Sequence, residues 1–172
     1  KGLSDSRVQG LEVTSGSLGH GLSVGVGIAL GNQINKTDQK TFIIVGDGEL
    51  NEGSCWEAIQ FAGHHKLSNL CMIVDKNNFQ AMGETSQIIN QNNLAIQIQA
   101  FDFNVTEVNG HDETALDNAI NAIFASDRNQ PSCIIANTIK GKGISFMENM
   151  NEWHYLRLDK SLYEKALIEL EQ

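Results

Sequence analysis

Four short apolar runs constrain the fold more than any other feature of this sequence: 41–45 (TFIIV), 70–74 (LCMIV), 103–108 (FNVTEV) and 133–138 (CIIANT). Each has strand length and strand-forming residues, and none approaches the roughly 20 apolar residues of a membrane span. Helical patterns lie between them. Segment 54–67 opens on Ser54 with Glu57 three residues on, the spacing of a capping box. Segment 112–127 places Leu116, Ala119, Ile120 and Ile123 at helical spacing, and 90–101 is a shorter helical pattern. At 159–171, Leu162, Ala166, Leu167 and Leu170 share one face, which predicts a terminal docking helix. Near-continuous apolar strands alternating with helices predict an α/β fold: a three-layer, doubly wound parallel sheet with helices on both faces.

The 172 residues suffice for one domain with a real core, and 41% hydrophobic content reads as soluble and globular. A net charge of −9 argues against nucleic acid or a membrane as partner. Cys55, Cys71 and Cys133 are odd in number and lack CxxC spacing, so we expect buried reduced thiols in a cytoplasmic protein. The chain begins at Lys1 rather than Met, and we expect a fragment, a processed chain or one subunit. No internal repeat is visible. Segment 76–93, rich in Asn, Gln and Gly, reads as a long loop of the kind that is more often functional than idle.

Glycines crowd the helical segment 15–34: Gly16, Gly19, Gly21, Gly25, Gly27 and Gly31. An interior glycine costs a helix roughly 0.8–1 kcal/mol against alanine. Two readings stand for the interior ones, close packing on the sheet or approach of a ligand. For Gly16, Gly19 and Gly21, at or before the helix start, we expect an anion or cofactor at free N–H groups.

The loop after the first strand is "GDGELNEG" (46–53). Its glycines suit a phosphate, yet Asp47, Glu49 and Glu52 repel one. Ligands of open α/β sheets bind at the carboxyl ends of the strands. Asp47 follows the first strand and "VDKNNFQ" (74–80) follows the second, so Asp47 and Asn77 can reach one point, joined by a carbonyl of the following loop. A carboxylate, an amide oxygen and a carbonyl form a hard oxygen set that suits Mg²⁺ or Ca²⁺ rather than zinc. The cation would then hold the phosphate. No GxxxxGK[ST] sequence is present.

"GDGELNEG…DKNNFQ" resembles the thiamine-diphosphate and magnesium motif. With "GLEVTSGSLGHGLSVGVGIALG" (10–31), "NGHD" (109–112) and "TIKGKGISFMENMNEWH" (138–154), it is similar to the diphosphate-binding domain of transketolases, in particular the split type made of two chains. The resemblance runs from Gly10 to His154. It implies that Asp47 and Asn77 ligate the metal by side chains and Phe79 by its carbonyl, with Mg²⁺ native and Ca²⁺ a possible substitute. It implies that Gly46 and Gly48 admit the diphosphate, with Gly16 and Glu49 also in the cofactor set. The backbone at Leu18 would lie against the aminopyrimidine, and His154 would contact diphosphate beside the substrate. Glu52 would stand in an acidic network at a dimer interface. Asn78 replaces the family's usual glycine, and His20 a frequent glutamine.

The family's upstream Gly-His-Pro segment and its pyrimidine-binding domain are not in this sequence. We therefore expect one diphosphate-binding domain over 1–172, half an active site completed by a pyrimidine-binding domain or subunit in a homo- or hetero-oligomer. It would transfer a two-carbon ketol unit between sugar phosphates. Alternatives are a 1-deoxyxylulose-5-phosphate-synthase-like or other thiamine-diphosphate enzyme subunit, and a non-catalytic assembly partner. A phosphohydrolase with Asp47 as nucleophile lacks the expected second acidic and lysine motifs. Bland readings stand beside these. His154 can be a surface residue after an anchoring Trp153, and His20 a helix-start residue rather than a catalytic neighbour. His64 and His65 suit a helix end, His111 a turn, and Asp75 a strand cap.

Overall fold

The computed structural model describes residues 3–125 and 129–171. The chain forms α1 (His20–Ile34), β1 (Thr41–Gly46), α2 (Gly53–His64), β2 (Leu70–Lys76), a hairpin of β3 (Phe79–Gln80) and β4 (Gly83–Glu84), α3 (Thr85–Ile88), α4 (Leu94–Gln99), β5 (Asn104–Asn109), α5 (Glu113–Phe124), β6 (Ser132–Asn137) and α6 (Lys160–Leu170). All four apolar runs are strands. They pair in the order β1-β2-β6-β5, every neighbour parallel. The end of the helix expected at 112–127 lies outside the described residues.

Burial follows position in the sheet. The central β6 is buried from Ser132 to Ala136, and β2 at Leu70, Cys71, Met72 and Val74, as strands covered on both faces must be. On one face α1, α2 and α4 set Leu22, Val26, Ile59 and Ile98 against Ile43, Val45, Met72 and Ile135. On the other, Leu116, Ala119, Ile120 and Ile123 of α5 cover Cys71, Ile73, Val108 and Ile134. Phe42 and Ile44 stand in register with Cys71 and Ile73 but lie beyond α5, and are 47% and 73% exposed.

The glycine-rich helix divides by position. A side chain at Gly25 would strike Ile43, with Cγ1 only 2.5 Å away, so this glycine brings α1 down onto β1. Gly21, Gly27 and Gly31 have nothing within 4 Å of the Cβ they lack. Close packing on the sheet therefore accounts for Gly25 alone.

Three local expectations change. The capping box at Ser54 and Glu57 does not form: the helix starts at Gly53, its cap residue is Glu52, and no side chain caps it. A 3₁₀ turn (Gly48–Asn51) runs straight into α2, so Ser54 is already inside the helix. Segment 76–93 is not one irregular loop but carries the β3–β4 hairpin and α3. The last helix docks less by apolar burial than expected. Ala166 is buried, whereas Leu167 and Leu170 are 40% and 59% exposed. Polar contacts hold it instead: Glu169 accepts from the Ser145 N–H (2.5 Å) and hydroxyl (2.9 Å), and Lys165 Nζ lies 4.9 Å from the Phe146 ring centroid.

Candidate functional site

The carboxyl ends of β1 and β2 meet through the backbone, the Asp47 N–H donating to the Asp75 carbonyl at 3.1 Å. The Asp47 side chain then bridges the loops that follow them. Its Oδ1 accepts from Gly48 N–H (2.8 Å) and its Oδ2 from Asn78 N–H (2.6 Å). Asn78 adopts φ 65°, a left-handed conformation that asparagine tolerates where most residues do not. The residue standing for glycine thus keeps the turn. Gly48 is required for a different reason: a Cβ there would lie 2.5 Å from that of Gln80 on the hairpin. Gly46 has open space on its Cβ side.

Asp47 is 1% exposed, and burial pushes its carboxyl above the ordinary range. The two N–H donors oppose that shift, the nearby Asp75 adds to it, and Lys76 gives partial relief. A buried carboxylate held by neutral donors remains short of counter-charge. Asn77 lies beside it, with Oδ1 accepting from Phe79 N–H (2.9 Å) and Nδ2 reaching Asp75 Oδ2 at 3.5 Å. Asp75 also accepts from the Thr138 hydroxyl, so it joins the end of β2 to the residue after β6. Among the described residues no group of three or more His, Cys, Asp or Glu side chains is placed to hold a metal. The Asp47 carboxylate and the Asn77 amide oxygen are hard oxygen donors, and their chemistry fits a hard divalent cation.

Glu49 turns away from that centre. It accepts from Gly19 N–H (2.8 Å) and Gly46 N–H (3.3 Å), joining the start of α1 to the end of β1. The Gly19 N–H expected to await an anion is therefore already taken. At Gly16 the space beside the backbone is filled by Leu3, whose Cδ1 lies 2.9 Å from the missing Cβ position. Leu18 is 56% exposed at this corner, and His20 beside it is exposed with Nδ1 3.2 Å from the Leu18 carbonyl.

His154 ends a 3₁₀ turn (Asn151–His154) that packs on the β3–β4 hairpin, and the hairpin packs on the acidic loop. It is exposed and stacks edge-on to Tyr155, ring centroids 4.9 Å apart. Trp153 anchors the turn by donating to the Phe146 carbonyl at 2.8 Å. The bland readings hold for the other histidines. His64 and His65 meet edge to face at the end of α2, and His111 accepts from the Ile139 N–H at 2.8 Å.

Sequence reasoning missed the amide network under the loop. Gln91 Nε2 donates to the Asp47 carbonyl (2.6 Å) and to Asn51 Oδ1 (3.2 Å), and Asn51 Nδ2 donates to Gln80 Oε1 (2.7 Å). The one signal was the Asn and Gln richness of 76–93, which gives composition without partners.

Residues 4–165 match the family described as transketolase, thiamine diphosphate binding domain. The chain is 38% identical over 165 residues to one subunit of the apulose-4-phosphate transketolase of Phocaeicola vulgatus, covering 96% of this chain and 58% of that one. It is 38% identical over 168 residues to a 6-deoxy-6-sulfo-D-fructose transketolase subunit of Clostridium sp. (strain MSTE9), covering 96% and 60%. It thus spans under two thirds of the length of these relatives. The crystal structure of Campylobacter jejuni transketolase superposes with a TM-score of 0.87 at 31% identity, over 94% of this chain and 26% of that one. Both the resemblance and the α/β fold read from the sequence are borne out.

Proposed function

Because this chain belongs to the transketolase family, in its thiamine diphosphate-binding domain, we propose that it holds the diphosphate and a magnesium ion in half of a transketolase active site. A pyrimidine-binding subunit completes the site, and the assembly moves a two-carbon ketol unit between sugar phosphates. The observation that supports this best is Asp47, a buried carboxylate bridging the loops after two adjacent parallel strands with Asn77 at its side. Two relatives are named as single subunits of a transketolase, which supports a separate partner chain.

When bound, thiamine diphosphate supplies the electron sink for cleaving and forming the carbon–carbon bond. This chain's own residues bind and orient. Asp47, Asn77 and the Phe79 carbonyl would hold the cation, and Gly46 and Gly48 leave backbone room for the diphosphate. The backbone at Leu18 would lie against the cofactor ring, while His154 and His20 are exposed imidazoles that would hold or move a proton near substrate.

Titrating thiamine diphosphate into the chain with its partner, with Mg²⁺ or with EDTA, tests the reading. Binding should require the metal, with Ca²⁺ as a substitute, and Asp47→Ala should abolish it. Binding indifferent to both metal and Asp47→Ala would overturn the cofactor assignment. A complex that binds cofactor yet moves no ketol unit between sugar phosphates would overturn the transketolase assignment alone.

A further inference from the structure

We infer that Glu49 is a positioning residue that fixes the ring-facing start of α1 relative to the metal loop, so that one carboxylate sets the span between the two ends of the bound cofactor. The inference rests on the cofactor reading above. Leu18 and Asp47 lie 29 positions apart in sequence, and on that reading each would address a different end of the same ligand. Glu49 hydrogen-bonds to both elements, with Oε1 2.8 Å from Gly19 N and Oε2 3.3 Å from Gly46 N.

The surroundings suit this role. Glu49 projects from a turn that α2 holds rigid: Cys55 Sγ donates to the Glu49 carbonyl (3.4 Å), and Trp56 Nε1 donates to that of Leu50 (2.7 Å). At the far end, α1 has no acidic residue in its first turn, and its cap residue Gly19 has no side chain with which to cap. Glu49 supplies the negative charge that a helix N-terminus favours. Gly19 itself sits at φ 80°, and a Cβ there would strike Ser54 and Glu52, so α1 begins hard against the start of α2. The part-buried carboxylate accepts a short bond from the α1 start at 2.8 Å and a longer one from its own loop at 3.3 Å, so the directional contact is the one that crosses between the elements.

Hydrogen exchange at the Gly19 amide reads the contact without cofactor, and thiamine diphosphate titration with Mg²⁺ in the complex with the pyrimidine-binding subunit reads its consequence. Glu49→Ala should speed Gly19 exchange at least about tenfold and weaken cofactor binding about tenfold or more. Glu49→Gln keeps the shape but leaves one acceptor for two donors, so it should fall between Ala and wild type in both readouts. Faster exchange with unchanged cofactor affinity would mean a merely structural contact and would overturn the inference, as would unchanged exchange. If Glu49→Ala does not fold, Glu49→Gln decides alone by the same criteria. Wild-type complex that fails to bind cofactor would sink the preceding reading and this one with it, whereas variant-insensitive binding sinks only this one.

Discussion

Asp47 is a carboxylate whose burial works against its own charge, and that conflict can be measured. Its folded pKa is raised above the ordinary 3.8, chiefly by desolvation. Between those two values the folded state binds more protons than the unfolded one, so stability without metal falls as pH rises through that window. A cation bound to the ionised group reverses the preference, and metal affinity should rise over the same window. Thermal unfolding across that pH range should therefore show Mg²⁺ with thiamine diphosphate stabilising more as pH rises. Asp47→Asn should remove both the metal-free slope and the metal's effect; a slope that survives in the variant would assign it to another group. The three thiols carry a second residue-scale expectation. Cys55, Cys71 and Cys133 are all fully buried, and burial pushes the first two up to about 12 and the third upward as well. A thiol reagent at pH 8 should leave all three unmodified in the folded protein and titrate them on unfolding in guanidinium chloride. Rapid modification of any one in the folded state would contradict this burial.

At the scale of elements, two glycines that look alike in sequence should respond in opposite ways. Gly27 lies inside α1 with nothing within 4 Å of its missing Cβ, so Gly27→Ala should stabilise the isolated chain by about 0.5–1 kcal/mol. Gly63 near the end of α2 sits against the Phe101 carbonyl, a backbone atom that cannot swing aside. Gly63→Ala should destabilise by about 3 kcal/mol or more, as overpacking against rigid structure does. Chemical denaturation of the pair checks both signs. The contrast marks what was legible in the sequence. The central strands β2 and β6 were legible because burial on both faces writes a continuous apolar run, and the edge strands β1 and β5 because their strand-forming residues persist although one face is partly open. The approach of Asp47 to the loop of Asn77 was legible because parallel strands put successive loops at one edge. The Ser54 capping box was a false signal, since the spacing of Ser and Glu cannot show that a 3₁₀ turn already feeds the helix. Gln91 was illegible for a related reason. Its partners, the Asp47 carbonyl and Asn51, lie some 40 residues away, and a glutamine in an amide-rich loop carries no mark of what it will touch. Gln91→Ala should cost about 1 kcal/mol of stability and also weaken cofactor binding, because the carbonyl it holds belongs to the proposed metal ligand. Isothermal titration of the variant would separate the two effects, and unchanged cofactor affinity would confine Gln91 to structure.

At the scale of the molecule, the residues assigned to the cofactor occupy one edge of the sheet and divide by exposure. Asp47 is 1% exposed, whereas Leu18 is 56% exposed and His20 and His154 are on the surface. On the proposed reading the metal end of the site would be built within this chain, and the ring and substrate end would lie open to water. Met82 at the hairpin tip (79%), Ile89 (56%) and Tyr155 (72%) add exposed apolar area on neighbouring segments. An open site keeps water at the reacting centre and weakens every electrostatic contact there, so the chain alone should hold diphosphate and metal weakly. A ligand that binds only the folded state raises stability by RT ln(1 + [L]/Kd). This makes the unfolding temperature a direct readout of where the affinity comes from. Mg²⁺ with inorganic diphosphate should shift the melting temperature of the isolated chain nearly as much as Mg²⁺ with thiamine diphosphate, since only the metal end is formed. In the complex with a pyrimidine-binding subunit, thiamine diphosphate should shift it far more than diphosphate does, the stabilisation at 100 times its Kd being about 3 kcal/mol. If the isolated chain already discriminates strongly between the two ligands, the ring-binding surface is complete within it and the half-site description fails. If the complex does not discriminate either, the ring end is built elsewhere than at Leu18, and the assignment of that edge to the cofactor falls.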